Sequence, residues 1–158
     1  MSDGSFKLDE SGAIEMLESL STKKIMNIEK KALRKAANEL RKEARSNLRR
    51  AMPNANKRGK YKDTLVQGVL SSTYEVAEGM EAKVHIMGVR DSSSGTFRTR
   101  FFETGTIQRK TKKGYNRGKI KPINFFGSAI DASKDKVVST LDEELSKAIQ
   151  KIADKKYE

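Results

Sequence analysis

The chain has 158 residues, 35 % hydrophobic and only 6 % aromatic, with a formal net charge of +12 at pH 7. That length suits one domain with a modest core. The absence of cysteine excludes disulfides, thiolate catalysis and cysteine-ligated zinc. No run approaches the ~18 apolar residues of a membrane span, so a soluble protein with no membrane partner is expected.

The charge is unevenly placed. Residues 1–21 hold five acids and one lysine, a net −4, and residues 22–62 hold fifteen Lys/Arg against three acids, a net +12. Residues 105–121 add seven more cations and no acid. Surfaces of that kind meet nucleic acid, an acidic protein or a membrane.

The N-terminal MSDGSFKLDESG is acidic and lacks the apolar core of a signal peptide, so export by a standard signal is not expected. Ile14, Leu17 and Leu20 predict a short amphipathic helix over 10–20. Ser21 or Thr22 then caps a long helix running to about Met52. Its apolar stripe is Ile25, Ile28, Ala32, Ala36, Leu40, Ala44 and Leu48, widened by Leu33 and Ala37. Pro53 ends it, because a residue before proline resists helical geometry. A polar loop over 53–63 follows.

The period then changes. Residues 64–76 and 81–89 are rich in β-branched side chains and predict two antiparallel strands joined by a short turn at Gly79. In the second, Val84, Ile86 and Gly88 face one way and Lys83, His85 and Met87 the other. DSSSG (91–95) reads as a loop. Residues 97–103 fit a strand or a helical turn, and a short helix is expected. Residues 105–121 read as a long loop or an extended β-arm. Pro122 precedes a final helix from about Asn124 to Lys156, with Phe126, Ala129, Ile130, Val137, Leu141, Leu145, Ala148, Ile149 and Ile152 inward and a break at Ser133. The fold class is α+β: a long N-terminal and a long C-terminal helix on a small antiparallel sheet, with an extended basic loop. Residues 1–21 are read as an acidic extension, and 22–158 as one domain.

Catalytic chemistry finds little footing. His85 is the only histidine and has no cysteine or second histidine to share a metal or a proton relay. Glu103, beside Phe101-Phe102, is a candidate acid or base if its environment raises its pKa. The structural alternative is a helix-end or turn carboxylate bonded to the N–H groups of Thr104, Gly105 or Thr106. Asp142, Glu143 and Glu144 read as a solvated helix face. Gly59-Lys60 lacks the spacing and setting of a phosphate-binding loop. No catalytic residue, metal or cofactor is expected.

The basic segments carry more. On the long helix Lys23, Lys24, Lys30, Lys31, Arg34, Lys35, Arg41, Lys42, Arg45, Arg49 and Arg50 outnumber Glu29, Glu39 and Glu43 at pairing distance. The segment 105–121 carries Arg109, Lys110, Lys112, Lys113, Arg117, Lys119 and Lys121 around Tyr115. One aromatic is a poor stacking platform, so any phosphate contact would be non-specific and salt-sensitive.

The sequence FRTRFFETGT, a variable basic segment, then IKPINFFGSAID resembles the signature region of the minor tail component, neck and tail-completion family of tailed bacteriophages, which includes minor tail protein Z. The matching residues are Phe102, Glu103, Gly105, Thr106, Pro122, Phe125, Phe126 and Ala129, with Leu65, Gly68 and Val69 upstream. The resemblance spans roughly residues 24–152. The extension 1–21 and the length and charge of 105–121 depart from the family pattern. What the resemblance implies is a non-enzymatic virion protein at the head–tail junction, made in the host bacterial cytoplasm. It would form a ring around the DNA channel, six-fold by expectation. Its partners would be further copies of itself, neighbouring neck, connector or tail-terminator proteins, and channel DNA through non-specific contact. A free nucleic-acid-binding protein using the basic helix and loop is the alternative.

Overall fold

The computed structural model describes residues 22–77, 79–86 and 95–156. The helix expected over 10–20 lies outside them, as do residues 87–89 of the second predicted strand. The element order is helix α1 (Thr22–Ala51), strands β1 (Val69–Val76) and β2 (Gly79–Ile86), helix α2 (Thr99–Thr104), strands β3 (Arg109–Lys110) and β4 (Asn116–Gly118), and helix α3 (Phe125–Lys156). This is the expected α+β architecture.

At about 1.5 Å per residue α1 is a rod of roughly 45 Å. The small side chains of its inner stripe (Ala32, Ala36, Ala37 and Ala44) are all buried and let two neighbours approach closely. One neighbour is α3, which runs antiparallel to α1: Lys35 pairs with Glu144, Glu39 with Lys136, and Asn47 Nδ2 donates to Phe125 O. The other is the β1–β2 hairpin, in register from Val69 opposite Ile86 to Val76 opposite Gly79. Arg45 donates through Nη2 to Val69 O at 2.8 Å, and Ser71 Oγ lies 3.2 Å from Asn38 Oδ1, pinning the hairpin along the helix.

The main core sits where the C-terminal end of α1 meets the start of α3. Ala44, Leu48, Ala55, Leu65, Val66, Val69, Phe125 and Ala129 form it, flanked by Val84, Ile86, Phe102 and Phe126. Pro53 ends α1 as expected, but 53–56 is a 3-10 turn that tucks Ala55 into this core rather than an open loop.

Several boundaries differ from the sequence reading. β1 starts at Val69, not Thr64, because Thr64–Gly68 folds back on itself: Gln67 Oε1 accepts the Thr64 N–H, and a 3-10 turn occupies Val66–Gly68. Gly68 abuts Thr99, whose Oγ1 donates to Leu65 O at 2.7 Å, and a Cβ at 68 would collide with that hydroxyl. The hairpin is tighter than expected, with Gly79 already paired in the ladder at φ +137°. In α3 the innermost aromatic is Phe125, 1 % exposed, while Phe126 only flanks the core. Ile130 and Ile149, expected inward, are 46 % and 45 % exposed, because α1 covers only part of α3's broad apolar face. α3 does not break at Ser133, whose buried hydroxyl donates to Ala129 O at 2.7 Å and so needs no other partner.

Candidate functional site: a clamped basic arm

The residues around the basic segment form one hydrogen-bonded unit. The Glu103 carboxylate, at the end of α2, accepts the N–H of Phe126 at 2.8 Å on one oxygen and that of Gly127 at 3.0 Å on the other. Helix α3 has no acid in its own first turn. Glu103 therefore satisfies two of its orphan N–H groups and places a negative charge at the positive end of the helix dipole. Glu103 is a helix-end carboxylate as expected, but its partners differ: they are 23 and 24 residues downstream, not the adjacent N–H groups of 104–106. With both oxygens accepting backbone donors, Glu103 caps the start of α3.

The strands entering and leaving the arm are tied beside this cap. Thr106 N–H donates to Ile120 O at 3.0 Å, Ile120 N–H donates to Thr106 Oγ1 at 2.9 Å, and Ile123 N–H donates to Phe102 O at 2.7 Å. Gly105 makes the crossing possible. Its φ of +75° and ψ of −173° lie in a region that only glycine occupies readily. A Cβ there would stand 2.9 Å from both Ile120 O and Pro122 Cδ. Phe102, Glu103, Gly105, Thr106, Pro122, Phe125, Phe126 and Ala129 thus meet in one place, where the arm leaves the body and α3 begins.

Beyond the clamp, β3 and β4 form a short bulged ribbon with a turn in which Gly114 N–H donates to Thr111 O. Of the two sequence readings of 105–121, loop or β-arm, the geometry is that of a β-arm. Arg109, Lys110, Lys112, Lys113, Arg117, Lys119 and Lys121 are all exposed, and none of their side chains takes an ion pair or hydrogen bond among the described residues. Ile107 and Tyr115 are 86 % and 71 % exposed on the same arm.

The basic helix separates into two groups. Lys35, Lys42, Arg45, Arg49 and Arg50 are engaged within the subunit, with Glu144, Glu39, Val69 O, Asn56 Oδ1 and Glu43 respectively. Burial is the main cause that pushes the Arg45 guanidinium below its ordinary pKa, with Arg41 and Arg49 adding repulsion. Lys23, Lys24, Lys30, Lys31 and Arg34 are exposed and unpaired among the described residues, and Arg41 is half-buried and unpaired. Lys31 joins Lys35, Lys147 and Lys151 along the rim of an open groove floored by Ile28, Ala32, Ala148 and Ile152. Glu144 is not part of a solvated face, since it bridges to Lys35, while Glu143 pairs with Lys147 one turn on.

Sequence reading also missed a satellite aromatic ladder. Tyr61, Phe97 and Phe101 stack edge to face at centroid separations of 6.4 and 6.3 Å, with the Arg98 guanidinium 3.9 Å above Tyr61. It fixes the 57–63 loop to α2 and sends Phe101 away from Phe102. The i, i+4 spacing of Phe97 and Phe101 was the available signal. His85 stands opposite Leu70 in the hairpin, its Nδ1 buried with no hydrogen-bond partner among the described residues. No group of three His, Cys, Asp or Glu side chains among the described residues is arranged to hold a metal. No helix among them is long and apolar enough to cross a membrane. No protein-family model, curated protein or solved structure matches the chain.

Proposed function

We propose that this chain is a non-enzymatic structural subunit of a tailed-phage particle. It acts at the head–tail junction in neck assembly or tail completion, as a ring, six-fold by expectation, around the DNA channel. One observation carries the reading. The residues of the phage-like signature are not scattered through the fold but build a single clamp, and that clamp holds out a cationic arm whose side chains find no partner among the described residues. A rigid base and an unsatisfied arm suit a part whose partners are other proteins of an assembly: further copies, and neighbouring neck, connector or tail-terminator proteins. The arm's cations also suit glancing, non-specific contact with DNA in the channel.

Gold-antibody labelling of purified virions, viewed by electron microscopy, tests the reading. Label concentrated at the head–tail junction is expected. Protein found only in infected cells and on no particle would overturn it.

The second reading, a free nucleic-acid-binding protein, is favoured by the exposed Lys23, Lys24, Lys30, Lys31 and Arg34. It requires tight duplex or single-strand binding. If the arm's seven cations all met phosphate, the slope of log K against log salt would be about −6. The assembly reading requires weak binding, abolished at physiological salt.

A further inference from the structure

Helix α3 carries a face that the described residues leave largely open. Asp131, Asp135, Val138, Asp142, Leu145 and Ile149 follow one another at intervals of four and three residues, which sets them on a single stripe. The stripe extends about 27 Å along the helix. Its three aspartates are exposed and make no ion pair or hydrogen bond among the described residues. Val138 is 53 % exposed and Ile149 45 %, while Leu145 is half-buried. Single exposed apolar residues are ordinary, but a row that combines them with unpaired carboxylates suits a partner that is both basic and apolar. Of the nearby cations, Lys136 is held by Glu39 on α1 and only Lys134 borders the stripe unpaired.

The arm is the complement of this stripe. It offers seven unpaired cations and two exposed apolar side chains, Ile107 and Tyr115. We infer that the basic arm of one copy lies along the acidic–apolar stripe of α3 on the next. Its cations meet Asp131, Asp135 and Asp142, and Tyr115 and Ile107 cover Val138 and Ile149. A duplex would satisfy the arm's charge but leave the stripe bare and repelled. A second copy satisfies both features at once. The two surfaces differ, so the contact is head to tail and extends to a ring or a filament rather than stopping at a dimer. This names the interface for the ring in the proposed function, yet it stands on charge and exposure alone.

Sedimentation velocity across the micromolar range tests it, with two charge-reversed chains. One carries Asp131→Lys, Asp135→Lys and Asp142→Lys; the other carries Arg109→Glu, Lys110→Glu, Lys112→Glu, Lys113→Glu and Arg117→Glu, which turns the arm net negative. All eight sites are exposed, and far-UV circular dichroism checks that both chains fold. The wild type is expected to form species larger than a dimer. Each variant alone sets like charge against like and should associate at least about ten-fold more weakly. Mixing the two restores one native contact and creates one reversed contact, so assembly should return. A wild type that stays monomeric, variants that assemble unchanged, or a mixture that stays monomeric would each overturn the interface. Unlabelled virions with the charge-swap rescue intact would remove the virion role and leave the interface standing. Labelled virions with no rescue would do the reverse.

Discussion

Glu103 shows what one side chain does for this fold. Its two oxygens take two first-turn N–H groups of a 32-residue helix that brings no acid to its own first turn. Glu103→Ala should destabilise the protein by about 1–2 kcal/mol, the usual cost of losing a helix cap, read as a shift in the urea midpoint. Glu103→Gln keeps an acceptor but loses the charge at the helix dipole and should fall between the two. An acid–base role would instead leave stability unchanged in both. Gly105→Ala should cost about 1–3 kcal/mol for its backbone conformation, with the contact against Ile120 O and Pro122 added on top. The sequence made Glu103 and Gly105 stand out, but not their partners. A local reading can offer a carboxylate only its neighbours, and this one bonds across the arm. The missing acid in the first turn of α3 was the signal that pointed further away.

At the level of elements, the periodicities of the two long helices were readable, and so was the change to strand period after residue 64. What could not be read was which stripe residues face a neighbour. Two apolar stripes were visible, but nothing in them says that α1 is wide enough to hold both α3 and the hairpin while α3 is left half-covered. The α1–α3 seam is closed by a small charge network. Glu39 holds Lys42 at 2.6 Å and Lys136 at 2.7 Å, and Lys35 holds Glu144. The hydrogen bond from Lys136, then that from Lys42, holds the Glu39 carboxyl below its ordinary 4.5, and Glu39 holds Lys136 above its ordinary value. The sign follows. The Glu39 contribution is fully present above the unfolded-state value near 4.5 and is lost as pH falls through the lower folded value. The Lys136 share is present below the ordinary lysine value and is lost only as pH rises through the raised one. Glu39→Gln should therefore cost up to about 1 kcal/mol at neutral pH, a modest figure because both lysines are solvent-exposed. The gap from wild type should close in strong acid. Denaturant midpoints of the two proteins across the acid limb check this, and a gap that persists at the lowest pH would mean that packing, not charge, was lost.

Across the whole molecule, the buried core and the exposed cationic arm lie in different places. The main core lies at one end of the helix pair, and the clamp shuts that end off from the arm beyond it. The length and charge of 105–121 were plain in the sequence. Its stem was not, because the Thr106–Ile120 pairing joins residues with thirteen others between them and no apolar pattern. If the clamp is the true boundary of the folded body, everything distal to it is dispensable for folding. Replacing residues 107–119 with a two-residue Asn-Gly turn keeps Thr106 and Ile120 as the flanking pair and lets the stem close as a tight hairpin. That chain should fold and melt within about 2 °C of wild type, since an exposed ribbon with no core contacts contributes well under 1 kcal/mol. The same chain should no longer assemble and should fail to join heads to tails in an in-vitro complementation assay. Infectious particles built from the shortened chain would show that the arm is not an assembly element. A large drop in melting temperature would show that the folded body extends past Thr106 and Ile120 into the arm itself.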